Sequence, residues 1–168
     1  MSIVVRDLLF LCKIFRMEVY KFGGASVKDA AGIRNLLKIV MGVQGNLLIV
    51  VSAFGKTTNA LESILKAWMA GDEAWKEALD RLRDYHMEVI GQLFTSGKQA
   101  SGTIETSFAR LRDYLGQSPR NGFDQEYDQV VSYGELWSTM IVAEYLKFSI
   151  PGCEWTDIRN ILITDNRF

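Results

Sequence analysis

Three short segments of this 168-residue chain carry residue types suited to holding a charged small molecule. The first is Lys21-Phe22-Gly23-Gly24-Ala25-Ser26. Paired glycines let backbone approach a ligand, a helix start just beyond them offers free N–H groups to an anion, and a lysine adds a mobile positive charge. It is not a Walker A loop, because the lysine precedes the glycines, and there is no GxGxxG. The second is Ser52-Ala53-Phe54-Gly55-Lys56-Thr57-Thr58-Asn59, whose hydroxyls can donate to carboxylate or phosphate oxygens. Thr58 or Asn59 as the N-cap of a helix explains the same polar residues without a ligand. The third is Ser132-Tyr133-Gly134-Glu135-Leu136-Trp137-Ser138. Serine three residues before glutamate reads as a capping box at a helix start. The box does not require Gly134, which costs about 1 kcal/mol inside a helix and marks a close backbone approach. Glu135 at such a helix start near an anion site can bind an ammonium group.

The elements that must position these segments alternate. Glu18–Phe22 is rich in strand formers and stops at the glycines. Ile33, Leu36, Leu37 and Val40 follow with helical spacing, and Leu47–Val51 is a continuous apolar run suited to a strand buried on both faces of a parallel sheet. Strand, helix, strand is a βαβ unit, so the expected class is layered α/β. Ligands of open α/β sheets bind at the carboxyl ends of the strands, which puts Lys21, Gly23 and Ser52 on one edge. Long helical stripes come next: Leu61, Ile64, Leu65 and Trp68; then Trp75, Leu79, Leu82, His86, Val89 and Leu93; then Ile104, Phe108, Leu111 and Leu115. Ser118–Gly122 interrupts them, and Leu136, Met140, Ala143 and Leu146 resume the pattern. Cys153–Thr156 and Asn160–Thr164 read as two short strands. His86 lies on an apolar stripe and reads as a core histidine, and Cys12 and Cys153 read as small buried hydrophobes.

Composition narrows the function. Nineteen Lys+Arg against 20 Asp+Glu give a net charge of −1, which argues against a protein built to grip nucleic acid or an anionic membrane. Two distant cysteines and one histidine leave neither a disulfide framework nor a zinc cluster, and a cytoplasmic location is expected. Residues 1–16 are apolar but broken by Arg6, Asp7 and Lys13, which fits neither a secretory signal nor a membrane span. They read as an amphipathic strand or helix, or as extra residues before an alternative start at Met17.

Taken together, KFGGAS, VVSAFGKTTNAL, SYGELWS and TDIRNILITDNRF occur in the order seen in aspartokinases, and the stretch from Met17 to Phe168 resembles that family of the amino-acid kinase superfamily. Ala25 departs from it, standing where these enzymes usually have Thr or Ser. The resemblance implies a three-layer αβα sandwich with a mainly parallel sheet, present here only in part. It implies ATP-dependent phosphorylation of the L-aspartate side chain to 4-phospho-L-aspartate, on the route to lysine, threonine and methionine. ATP would arrive as its Mg²⁺ complex, with no dedicated metal cluster and no tightly bound cofactor. By motif, Lys21 would meet the transferring phosphoryl group, and Gly23, Gly24 and Ser26 would form the phosphate loop. Ser52 and Thr58 would line the aspartate pocket, and Glu135 would hold the substrate ammonium. Asp157 and Arg159 match the family too, with a strand-end ion pair as the plain alternative. The GRGGSD-type motif of these enzymes does not occur before Phe168. Residues 17–168 are therefore expected to be the N-terminal portion of the catalytic domain, inactive alone and homo-oligomeric, with residues 1–16 an extension outside the fold. The alternatives are a glutamate or carbamate kinase of the same superfamily, or a non-catalytic half-domain that binds or oligomerises.

Overall fold

A computed structural model of the chain describes residues 2–5, 17–94 and 98–162. Strands β1 (Ser2–Val5), β2 (Met17–Phe22), β3 (Asn46–Val51) and β4 (Cys153–Thr156) form one sheet in the order β2-β3-β1-β4. β2 and β3 pair in parallel, with Phe22 beside Val51, joined through α1 (Ala30–Val40) as a βαβ unit. β1 pairs antiparallel with both β3 and β4, so β2, β3 and β4 point the same way and only β1 opposes them. The class is α/β with a mainly co-directional, incomplete sheet. Residues 2–5, for which the sequence left open a strand, a helix or an extension outside the fold, form a strand inside it.

Four further helices follow β3: α2 (Thr57–Met69), α3 (Ala74–Leu93), α4 (Lys98–Leu115) and α5 (Phe123–Lys147). The expected stripes are the ones they bury. Leu61, Ile64 and Leu65 of α2, Leu79 of α3 and Leu111 of α4 join Trp137 and Ile141 of α5 in one core. That core lies against one face of the sheet, where Leu47, Ile49 and Val51 of β3 are buried and Tyr20 and Phe22 of β2 pack beside them. The opposite face differs from the expectation of a strand covered on both sides. Leu48 and Val50 are only half-buried, and Met17 and Val19 of β2 are 57% and 59% exposed. The physical reason is that the face carrying Met17 and Val19 is left uncovered by the described residues.

The expected second strand at Asn160–Thr164 does not form over its described part. Ile158–Asn160 is a single 3-10 turn, whose N-cap Asp157 accepts from the Arg159 amide, and residues 163 and 164 lie outside the described residues. Cys153 is buried at the start of β4, and burial pushes its thiol up to about 11; Cys12 lies outside the described residues.

Candidate functional site

Because Phe22 and Val51 are register partners, Gly23 and Ser52 leave the sheet side by side, and the Ser52 amide donates to the Phe22 carbonyl at 3.0 Å. The two loops then stay in contact. The Gly55 amide donates to the Gly24 carbonyl at 3.1 Å, and a Cβ on Gly24 would come within 2.6 Å of the Ala53 carbonyl oxygen. Only glycine permits that approach. Gly55 itself has φ +50°, the left-handed region that glycine tolerates best.

The first loop is not the helix start that the sequence suggested. α1 begins seven residues after Gly23, at Ala30, and its N-terminus is already served by Asp29, whose carboxylate accepts from the Gly32 amide at 2.8 Å. Ser26 is exposed in the intervening turn, its amide bonded to the Gly23 carbonyl. Of the two helices that follow the site loops, α2 is the one whose start lacks a side-chain cap. It starts at Thr57 with Lys56 in the cap position, so neither Thr58 nor Asn59 is the N-cap. An uncapped helix start carries partial positive charge, here beside Lys56 and close to Lys28, whose Cβ lies 3.5 Å from where a Gly55 Cβ would sit. Lys21 is exposed at the end of β2, while Ser52 and Thr58 are half-buried.

The third segment is also placed differently. Ser132 and Glu135 are interior to α5, which starts at Phe123 after the N-cap Gly122, so they form no capping box. Instead the Ser132 hydroxyl donates to the Gln129 carbonyl. The expected close approach at Gly134 is real. A Cβ there would lie 3.1 Å from the Ala53 Cβ, 3.2 Å from the Thr57 Cγ2 and 3.3 Å from the Leu61 Cδ1. Gly134 thus seats α5 against the second loop and the start of α2, and brings the exposed Glu135 to that neighbourhood. Just after β4, Asp157 and Arg159 make the plain ion pair: Arg159 Nε donates to both carboxylate oxygens at 3.0 and 3.1 Å, and Nη2 at 2.6 Å. The Arg159 guanidinium holds the Asp157 carboxyl below its ordinary range, while burial pushes the half-buried Tyr133 hydroxyl up despite the opposing charge of Arg159.

Sequence reasoning missed Thr57, buried with its hydroxyl unpartnered, and missed Phe54 and Tyr85. It had one available signal for Tyr85, an aromatic next to His86 but one step off the apolar stripe. His86 is fully buried, as expected of a core residue: Nδ1 lies 2.8 Å from the Leu82 carbonyl, and burial lowers its pKa to about 4. It is therefore neutral, with Nδ1–H the donor. Among the described residues no group of three or more His, Cys, Asp or Glu could hold a metal, and no helix is long and apolar enough to cross a membrane.

Residues 16–166 match the model of the amino acid kinase family. The chain is similar to the chloroplastic bifunctional aspartokinase/homoserine dehydrogenase of Daucus carota, 28% identical over 88% of this chain and 17% of that protein. It is similar to lysine-sensitive aspartokinase 3 of Escherichia coli K12, 28% identical over 89% of this chain and 33% of that one. The fold matches the crystal structure of E. coli aspartokinase III in complex with aspartate and ADP, with a TM-score of 0.76 and 24% identity over 91% of this chain and 34% of that chain. The chain spans between 17% and 33% of the length of the two curated relatives.

Proposed function

The chain belongs to the amino acid kinase family, and from that premise we propose that it is the aspartate- and phosphate-holding portion of an aspartate kinase. The reaction is attack by a side-chain carboxylate oxygen of L-aspartate on the γ-phosphorus of ATP. The bond to the β–γ bridging oxygen breaks, ADP leaves, and 4-phospho-L-aspartate forms. The carboxyl group, with a pKa near ~3.9, is already ionised at neutral pH, so no general base is needed. What remains is alignment and charge neutralisation.

One observation carries this reading. The glycine loop after β2, the hydroxyl loop after β3 and the Gly134–Glu135 turn of α5 meet at one end of the sheet, held by the Gly55–Gly24 bond and the Gly134 contacts. In that arrangement Lys21 would meet the transferring phosphoryl group of the MgATP substrate, with Gly23, Gly24 and Ser26 forming the phosphate loop. Ser52 and Thr58 would line the aspartate pocket, and Glu135 would take the substrate ammonium. The aspartate and ADP named with the aspartokinase III structure, and the aspartokinase names of the relatives, favour this substrate over glutamate or carbamate. We place the chain in the cytoplasm as a homo-oligomer, although the carrot relative is named chloroplastic.

Because so little of each relative is spanned, ligand binding rather than turnover is assigned to these 168 residues. Calorimetry is expected to show binding of MgADP and of L-aspartate, with Lys21→Ala weakening the nucleotide at least about tenfold, or 1.4 kcal/mol, and leaving aspartate unchanged. Hydroxylamine trapping with MgATP and L-aspartate should stay at background. Equal affinity for L-glutamate would overturn the substrate assignment, and acyl phosphate formed at ordinary kinase rates by the 168-residue chain would overturn the expectation that it does not turn over.

A further inference from the structure

Helix α3 carries none of the residues assigned to ligand, yet two consecutive side chains on it touch both loops of the site. The Tyr85 hydroxyl donates to the Lys28 carbonyl, at the end of the turn that follows Gly23 and Gly24. The same hydroxyl sits 3.2 Å from where a Gly55 Cβ would be, so it reaches the second loop as well. Next to it, the His86 ring stacks on Phe54 of the second loop, with centroids 5.7 Å apart and planes 13° from parallel. The other edges of that ring meet Trp137 of α5 at 5.3 Å and Phe108 of α4 at 5.6 Å. Trp137 is two residues from Glu135 and is itself stacked on Phe108 at 3.7 Å, with Nε1 donating to the Ser107 hydroxyl.

Phe54 is no ordinary core residue. Its carbonyl accepts from the Thr57 amide at 2.9 Å and so shapes the turn into α2. Its neighbours Ala53 and Gly55 are the residues that touch Gly24. A side chain that fixes Phe54 therefore fixes the spacing of the two loops.

We propose that Tyr85 and His86 are positioning residues for this site: Tyr85 pins the glycine loop through Lys28, and His86 locks Phe54, and with it Ser52–Thr57, against Trp137 of α5. What the loops hold rests on the aspartate kinase reading above; how they are held does not. Three segments far apart in sequence are gathered by one dipeptide on a helix without motif residues. Nε2 of His86 has no hydrogen-bond partner among the described residues, and the ring meets the second loop through its flat face.

The test is amide hydrogen exchange on the ligand-free 168-residue chain. Tyr85→Phe, which removes one hydroxyl, is expected to speed exchange across residues 23–28 and at Gly55 about tenfold. His86→Leu should do the same across residues 52–57, and His86→Phe, which keeps a ring on Phe54, should restore protection to within about threefold of wild type. Amides of α4 and of the second half of α2 should hold their rates in all three variants. The proposal is overturned if the loops exchange as in wild type, or if the helix amides accelerate by the same factor, which is what a merely structural role predicts. MgADP affinity is read in parallel, with about a tenfold loss expected for Tyr85→Phe. If the wild-type chain binds neither MgADP nor L-aspartate while the exchange pattern holds, the functional reading fails and the positioning role stands.

Discussion

At the scale of single residues, the site is built from what is left out of side chains as much as from what they offer. A methyl group on Gly24 would collide with the Ala53 carbonyl oxygen, and one on Gly134 would crowd the Ala53 Cβ. The Gly134 contacts include Thr57, whose Cγ2 faces the glycine while its hydroxyl is buried with no partner among the described residues. An unsatisfied buried hydroxyl costs about 1–3 kcal/mol relative to a group of the same shape that needs no hydrogen bond. Thr57→Val keeps the shape and removes the need. It is expected to raise the unfolding free energy by about 1 kcal/mol, read as a rise of about 2–4 °C in thermal midpoint. A lower midpoint would show that the hydroxyl is satisfied after all. Fully buried His86 makes the same trade of one unpaired nitrogen for packing against four aromatic rings.

At the scale of elements, the placement of α5 decides where Gly134 and Glu135 lie, and Glu126 in its first turns sets that placement. Its buried carboxylate accepts from the Tyr114 hydroxyl of α4, from the Asn121 amide at 2.9 Å and side chain at 3.2 Å, and from the Arg120 amide at 3.1 Å. Burial alone pushes this carboxyl up, but these donors outweigh it and hold it below its ordinary value. Burial and the neighbouring carboxylate push the Tyr114 hydroxyl up to about 12, so it remains a donor. Glu126 thus ties the connection after α4 to the start of α5. The sign follows from linkage: a carboxylate with a depressed folded pKa contributes stability above its unfolded value, and that contribution is lost as pH falls through the folded value. Glu126→Gln is expected to cost about 2 kcal/mol at pH 7, and to flatten the acid limb of the stability curve below about pH 4.5. Urea titrations between pH 3 and 7 check both, and parallel curves for the two proteins would refute the assignment.

At the scale of the molecule, the described helices cover one face of the sheet, and the other is left uncovered by the described residues. Met17 and Val19 on β2 are exposed, as are Ile39 and Met41 at the end of α1. Among the described residues β2 is also an edge strand, with one side of its backbone unpaired within the sheet. An apolar face beside a free edge favours association. The chain is expected to self-associate in sedimentation. Met17→Lys with Val19→Lys should raise the dissociation constant at least about tenfold. A clean monomer before any substitution would count against an adhesive face. Ser2–Val5 stand on the same footing: the family match begins at residue 16, yet these residues supply the strand between β3 and β4.

The sequence by itself determined the βαβ start, the helical stripes, the core position of His86 and the close approach at Gly134, because each is a matter of local periodicity or of one residue's backbone freedom. It also carried the motifs whose order points to the family. It misjudged where helices begin. Ser132 and Glu135 have capping-box spacing but lie inside α5, and Thr58 and Asn59 have capping side chains but follow the true start. Capping preference is a weak local energy that core packing overrides, as burial of Val130 and Glu126 extends α5 back to Phe123. Only the tertiary structure decided that Tyr85 and His86 gather the loops, because that depends on contacts made by residues more than twenty positions apart, which no spacing rule encodes. It alone decided which sheet face the described residues leave uncovered, since coverage is a property of the assembled layers rather than of any strand.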